Sequence, residues 1–321
     1  MDGKTEEMRG MFLNLGYNMW SDILVTDWGG TKKEDLGFVS ASDVLRFDEA
    51  VWRRLTERMV RRGFNAVVID LGEGCFYPSH PELAVKGTWS VEKMRAELDR
   101  LRGMGLEPVP KINFSTSHDT WLKEYGRMVS TPEYYRVCAD VIRDVCEIFG
   151  RPRLLHLGYD EESPGHQSRY AMSVVRRGGL WWHDFLFFVK EVEKHGVRPW
   201  IWSDYVWGHR EEFLAKMPKS VMQSNWYYRQ WFDFDTIPKD RRVHLESFLA
   251  LEKAGFDQIP CGSNWACDEN IAGLVKFCRR NVDPSRLKGF LMTTWCATVA
   301  RFEEKLARGI DLAGDAWRIQ G

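Results

Sequence analysis

The chain has 321 residues, of which 44% are hydrophobic and 13% aromatic, with 15 tryptophans among them. Its 45 basic residues against 46 acidic ones give a net charge of −1, which argues against a nucleic-acid binder relying on a broad basic face and against intrinsic disorder. No apolar run approaches the length of a membrane span, so membrane and nucleic acid are both set aside as partners.

The N-terminal MDGKTEEMRG has no apolar h-region. As given, the chain reads as cytoplasmic, and as secreted or periplasmic where a signal peptide has been trimmed. Beyond it, short apolar, β-branched runs occur at 11–15, 66–70, 108–114, 154–159, 198–204, 221–226, 258–264 and 289–295. Helical patterns lie between them at 44–62, 91–103, 132–149, 174–195, 209–216, 245–255, 269–281 and 301–312. Ser90 is placed to cap the second helix. Thr131 is placed to cap the third, with Pro132 at its first position, an apolar stripe of Tyr134, Val137, Val141, Val145 and Ile148, and Gly150 as its stop. The arginines at 53, 54, 58, 61 and 62 follow helical spacing and read as a solvated helix face. The seven cysteines form no CxxC and no zinc-type spacing, as expected for reduced thiols.

Eight strand–helix alternations predict an α/β fold, a single (β/α)8 TIM barrel covering residues 1–321. An open doubly wound sheet is the alternative, but no glycine-rich dinucleotide turn follows the first strand. The stretches near 16–43 and 71–90 become long loops on the C-terminal face, where barrel active sites are built. The strand ends there carry Asn14 and Tyr17, Asp70 and Glu73, Asn113 and His118, Asp160 and Glu161, Trp202 and Asp204, Trp226 and Tyr227, Asn264 and Trp265, and Trp295. Flat apolar walls around a few carboxylates suit a sugar, whose C–H faces stack on aromatic rings while its hydroxyls meet polar groups. Taken alone, Asp160 and Glu161 read as loop charges or a helix cap.

Their context changes that reading. HLGYDEE at 156–162 matches the His-x-Gly-x-Asp-Glu form that closes strand four in family 20 glycoside hydrolases, the β-N-acetylhexosaminidases. HPELAVKGTWS at 80–90 resembles that family's Pro-Glu-Leu…Gly-x-Tyr-Ser segment. GLEPVPKINFSTSHDTW resembles its strand-three stretch, with His118 in place of the family histidine. Arg9-Gly10 resembles the Arg-Gly before strand one, and Gly-Phe-Asn at 63–65 the Lys-x-Asn before strand two. The matches run in order from about residue 9 to 163; beyond that only Trp202, Trp226 and Trp295 stand at the expected strand ends.

The resemblance implies a glycosidase that removes terminal β-linked N-acetylhexosamine, without a cofactor or metal, by substrate-assisted retention, one of the exceptions to the two-carboxylate scheme. Glu161 is then the acid/base, with a pKa raised by its tryptophan walls. Asp160 orients the 2-acetamido group whose oxygen forms the oxazolinium intermediate. Arg9, Glu73, His118, Trp202, Trp226, Trp265 and Trp295 are expected at the sugar, with His156, Asp70 and Tyr227 in support. The sequence also departs from the family. Lys111 and Asn113 replace an acidic pair, Trp265 and Asp268 stand where Tyr-x-Asp is expected, and Trp295-Cys296-Ala297 replaces Trp-x-Glu. A binding barrel without turnover, and a retaining glycosidase using Glu73 or Asp204 as nucleophile, are the alternatives. A metal-dependent barrel hydrolase is disfavoured, since no HxH opens strand one and the eight histidines are scattered.

Overall fold

Successive residues of a strand face opposite ways, and the buried side chains of this chain divide accordingly. Met8, Phe12, Ala66, Val68, Val109, Leu154, Trp200, Trp202, Met222, Ile259 and Leu291 form one apolar cluster drawn from strand-region residues alone. Their odd-parity neighbours Met11, Leu13, Val67, Ile69 and Ile201 join a second cluster with helix residues such as Val51, Leu55, Leu98 and Val141. The first cluster is the inside of a barrel and the second is the seam between barrel and helices. Strands buried on both faces are the rule for parallel sheets wrapped by helices, and all five residues of Ala66–Asp70 are buried.

The computed structural model describes residues 7–29 and 31–319. Its strands are β1 (Met8–Asn14), β2 (Ala66–Asp70), β3 (Glu107–Lys111), β4 (Leu154–His156), β5 (Arg198–Trp202), β6 (Met222–Ser224), β7 (Cys261–Ser263) and β8 (Gly289–Thr293). All pair in parallel, in the order β6-β5-β4-β3-β2-β1-β8-β7. The barrel closes between β6 and β7 through the bridges Gln223↔Gln258 and Trp226↔Cys261, where Ile259 N–H donates to the Gln223 carbonyl at 2.9 Å. The helices are α1 (Glu49–Arg61), α2 (Val91–Gly103), α3 (Pro132–Ile148), α4 (Gly179–Lys194), α5 (Tyr205–Gly208), α6 (Arg210–Lys216), α7 (Arg242–Lys253), α8 (Asn270–Asn281) and α9 (Glu303–Ala316). This is the predicted (β/α)8 barrel. Among the described residues, no helix is long and apolar enough to cross a membrane.

Local chemistry sets the boundaries. The Ser90 hydroxyl accepts from Lys93 N–H and that of Thr131 from Tyr134 N–H, as the sequence predicts. α1 begins at Glu49, later than predicted, because the Asp48 carboxylate accepts from the N–H groups of Ala50 and Val51. α4 also begins late. The residues before it fold instead around buried Arg176, whose guanidinium meets Glu162 at 2.8 Å and Asp184 at 3.3 Å. The long loop after β1 is gathered by Arg46, which donates to the carbonyls of Gly37, Ser40 and Tyr17 and to Asn18 Oδ1. The described cysteines are all free, and Cys138 and Cys146 are buried in α3.

Candidate active site

Strand register decides what faces the C-terminal mouth. Asn14, Asp70, Lys111 and His156 stand level on neighbouring strands. Parity turns all four into the barrel with Trp202. Lys111 Nζ meets Asp70 Oδ2 at 2.6 Å in a fully buried pair that lies in the floor of the site, with the Lys111 ammonium 5.2 Å from the centre of the Phe12 ring. Burial raises the Asp70 pKa, and Lys111 works against that rise. Lys111, one of the departures seen in the sequence, therefore makes with Asp70 a floor of one ion pair.

Above it, β4 runs into a turn with three left-handed residues, Gly158 (φ 68°), Tyr159 (φ 73°) and Glu161 (φ 53°). Such backbone costs on the order of 1–3 kcal/mol at each non-glycine residue and persists only where neighbours hold it. The Asn113 amide is the brace: its Oδ1 accepts from Tyr159 N–H at 3.1 Å and Ser115 N–H at 2.9 Å, and its Nδ2 donates to Asp160 Oδ1 at 2.8 Å. Ser115 Oγ donates to the Asp160 carbonyl, and Ser117 Oγ to that of Glu161 at 2.9 Å. Asp204, at the end of β5, accepts from Glu161 N–H at 2.9 Å and from the Trp226 indole at 3.4 Å. Gly158 has no alternative here, since a Cβ at this position would lie 2.0 Å from Asn113 Oδ1.

The outcome is two adjacent carboxylates with different surroundings. Asp160 is 6% exposed. Glu161 sits between two imidazoles: His118 Nε2 lies 3.4 Å from Glu161 Oε2 and 3.5 Å from Asp160 Oδ2, and His166 Nε2 lies 3.5 Å from Glu161 Oε1. Burial works to raise the Glu161 pKa, but His118 and His166 overcome it and hold this carboxyl well below the usual carboxylate range. Burial likewise opposes charge on His118, yet Asp160 and Glu161 raise it above the ordinary histidine value. His166 is raised by its contact with Glu161. Asp204 is pushed up to about 7, by burial first and then by the charge of Asp160. The predicted raising of Glu161 by tryptophan walls is thus corrected: the two imidazoles lower it against the effect of burial. His118, Asp160 and Glu161 also bring three donor atoms within 4.8 Å of one another, the residues here that could hold a cation.

The aromatic walls come from several loops. Trp295, itself at φ 53°, packs 5.1 Å from Phe12, 5.8 Å from Trp202 and 6.4 Å from Trp20 between ring centres, and its carbonyl accepts from Tyr17 Oη at 2.9 Å. Trp226 stacks on Tyr228 at 4.9 Å, and Trp20 stands edge-on to His118 at 5.1 Å. Two cavities open among these rings. One of about 530 Å³ is lined by residues that include Tyr17, Trp20, Trp28, Trp265 and Trp295. The other, about 230 Å³, is lined by Trp20, Trp28, Ser117, His118, His166 and Arg169 among others.

The structure brings together Asp160, Glu161, His118, Trp226 and Trp295, with Asp70 beneath. Trp202 lies deeper, 1% exposed, under Trp295. Trp265 is on the rim, 57% exposed. Glu73 is turned towards the end of β1, where its two oxygens accept from Tyr17 N–H at 2.8 Å and Asn18 N–H at 3.0 Å. Three expectations are corrected. Arg9 pairs with Phe290 near the start of β1, at the barrel end opposite the mouth, and its Nε donates to the Gly63 carbonyl at 2.6 Å. His156 does not bond to Asp160 or Glu161; its Nδ1 accepts from Gly158 N–H at 3.0 Å, its ring packs on Trp200 and Trp202, and burial holds its pKa far below the ordinary value. Tyr227 points outward to Phe232 and His244, and Tyr228 is the tyrosine over the mouth. Sequence reasoning also missed Ser115, Ser117, Trp20 and His166. The parity Met222, Ser224, Trp226, Tyr228 was a readable signal for Tyr228, whereas His166 lies in an irregular loop and gave none.

No family model and no curated protein matches the sequence. Solved structures do match the fold. An exo-β-N-acetylglucosaminidase of family 20 from Vibrio harveyi, in complex with N-acetylglucosamine, superposes with a TM-score of 0.62 at 14% identity, over 97% of this chain and 56% of that one. A β-N-acetylhexosaminidase from Bacteroides fragilis gives 0.62 at 12%, over 96% and 65%. A mutant β-hexosaminidase from Streptomyces plicatus, in complex with GlcNAc, gives 0.61 at 12%, over 95% and 63%. This chain therefore spans between about half and two thirds of the length of these proteins, and at such identities the likeness is one of fold.

Proposed function

We propose that the chain is a glycoside hydrolase that releases β-linked N-acetylhexosamine (GlcNAc or GalNAc) by substrate-assisted retention. The observation that carries this reading is the pair Asp160–Glu161, one carboxylate fixed by the Asn113 amide and the other held between two imidazoles. Asp160, whose Oδ2 faces His118 at 3.5 Å, accepts the acetamide N–H and steadies the positive charge that develops as the acetamide oxygen attacks the anomeric carbon. The C1–O bond breaks, and the leaving oxygen takes the proton stored on the His118–Glu161–His166 cluster, delivered through Glu161. Water then attacks C1, its proton returns to that cluster, and the acetamide oxygen is released with the anomeric configuration retained. Trp295 and Trp226 offer the apolar faces for the sugar and its acetamide.

A two-carboxylate mechanism has less support. Both Glu73 oxygens are committed to backbone N–H groups. Asp204 accepts two hydrogen bonds and, pushed up to about 7, is a poor nucleophile near neutral pH. The test is hydrolysis of chromogenic β-glycosides by wild type and Glu161→Gln, with a thiazoline mimic of the cyclised intermediate as inhibitor. We expect turnover of N-acetylhexosaminides only, inhibition by the thiazoline, and a loss of about 10²–10⁴-fold in the variant. Unchanged activity of Glu161→Gln refutes the assignment, and thiazoline binding without turnover of any glycoside turns it into a binding barrel.

A further inference from the structure

The two cavities share Trp20, Trp28 and Gly29 as a dividing wall but differ in what else lines them. The smaller holds His118 and His166, the partners of Glu161, so a leaving group within reach of that carboxyl must lie there. Neither histidine lines the larger chamber; it opens on the other side of Trp295, towards the loops after β1, β7 and β8. A sugar seated over Trp295 with its anomeric carbon at Glu161 has its non-reducing side facing this chamber. At about 530 Å³ the chamber has room for a further saccharide unit, and Trp20, Trp28 and Trp265 give it stacking surfaces.

Its charge is one-sided. Lys32 and Lys305 line it, and the Lys305 ammonium is poised 4.7 Å from the centre of the Trp265 ring. The acidic residue of the lining, Asp35, already has its charge met by Arg301. Two cations beside aromatic plates favour an anionic group on the bound saccharide.

We infer that the chamber is a subsite for a further, acidic sugar, carrying a carboxylate or sulfate, attached to the non-reducing side of the N-acetylhexosamine, so that this chain acts on anionic glycans and not only on a bare terminal hexosamine. The inference rests on the reading of Glu161 as acid/base, which fixes the direction of the substrate.

The experiment compares four ligands: a chromogenic N-acetylhexosaminide, and the same compound capped at its non-reducing end by a neutral hexose, a hexuronic acid or a sulfated hexose. Binding is read by tryptophan fluorescence on Glu161→Gln protein, and turnover on wild type. An acidic cap is expected to bind about tenfold tighter than the neutral one, the worth of one charge-assisted hydrogen bond, and to weaken as salt is added. The preference collapses in the Lys32→Gln/Lys305→Gln double variant, and whichever acidic arm is preferred identifies the group. Equal binding of neutral and acidic caps, or rejection of every cap, overturns the inference. Turnover of the uncapped compound with all caps rejected leaves the proposed hydrolysis standing and removes the chamber. Lysine-dependent binding of an acidic cap, with no compound turned over, keeps the chamber and removes the hydrolysis.

Discussion

The two sides of the barrel mouth are built on different plans. On the β3–β5 side, the polar groups of Asn113, Ser115, Ser117, Asp160, Glu161 and Asp204 bond to one another, and a backbone turn of three left-handed residues is held in place by them. On the β7–β8 and β1 side, the wall is mostly aromatic edge and plate, with lysines at its margin. The first side ties its polar groups to one another by hydrogen bonds, the kind of support that acid–base chemistry requires. The second excludes water and stacks on flat faces, which suits recognition and tolerates change. The sequence departures fall on both sides: the strand-four signature is matched, but strand three beside it is altered at Lys111 and Asn113, as are the motifs at strands seven and eight.

The largest effect expected from breaking this contrast comes from Gly158→Ala. The added methyl would sit 2.0 Å from Asn113 Oδ1 at a φ of 68°, so the Asn113 brace must move and take Asp160 with it. Misplacement by about 1 Å costs roughly 10²-fold in turnover. The strained backbone adds about 1–3 kcal/mol of destabilisation. Steady-state kinetics with denaturant unfolding reads both, and wild-type kcat in a folded Gly158→Ala protein means that the turn is not what positions Asp160.

A second effect, of intermediate size, separates the histidines from the carboxylate between them. In wild type the transferable proton is held by His118 and His166, whose pKa values are raised by Glu161 and, for His118, by Asp160 as well, so it is lost only as pH climbs through those values. In a His118→Gln/His166→Gln variant the proton's seat becomes the Glu161 carboxyl. Without the imidazoles its pKa rises from its depressed value, because burial then acts unopposed. The basic limb of the kcat/KM profile should therefore leave the pH at which the imidazoles lose their proton and follow the carboxyl instead. A limb that stays in place means that the imidazoles do not store the proton.

How much of this was legible beforehand depends on which physical rule was applied. The barrel was legible because apolar runs and helical stripes alternate without interruption, and the mouth because strand C-terminal ends can be read off those runs. Asp160 and Glu161 follow directly. Parity was the neglected rule. It sends Tyr228 inward and Tyr227 outward, and it places His156 among the barrel tryptophans instead of beside the carboxylates. Two features were beyond any local rule. The depressed pKa of Glu161 depends on His166, brought in by a loop folded around Arg176 and its distant partner Asp184. The commitment of Glu73 to Tyr17 and Asn18 depends on a contact across strands.

Arg9 gives the smallest expected effect and the sharpest check on direction. It resembles a sugar-gripping arginine only by its neighbour Gly10. Asn14 at the mouth is five positions further on, about 17 Å along an extended strand, and the Arg9 backbone pairs at the opposite end of the barrel. Its Nε donates to the Gly63 carbonyl and its N–H to Asn65 Oδ1 at 2.7 Å, contacts that tie the start of β1 to the turn before β2. Only the first of these is lost in Arg9→Ala, because the second is made by the backbone. The expected cost is therefore at least that of this hydrogen bond, about 0.5–1.5 kcal/mol in unfolding free energy, with KM for an N-acetylhexosaminide unchanged. A several-fold rise in KM at undiminished stability would instead require an arginine that reaches the substrate, which a residue at the far end of the strand cannot do.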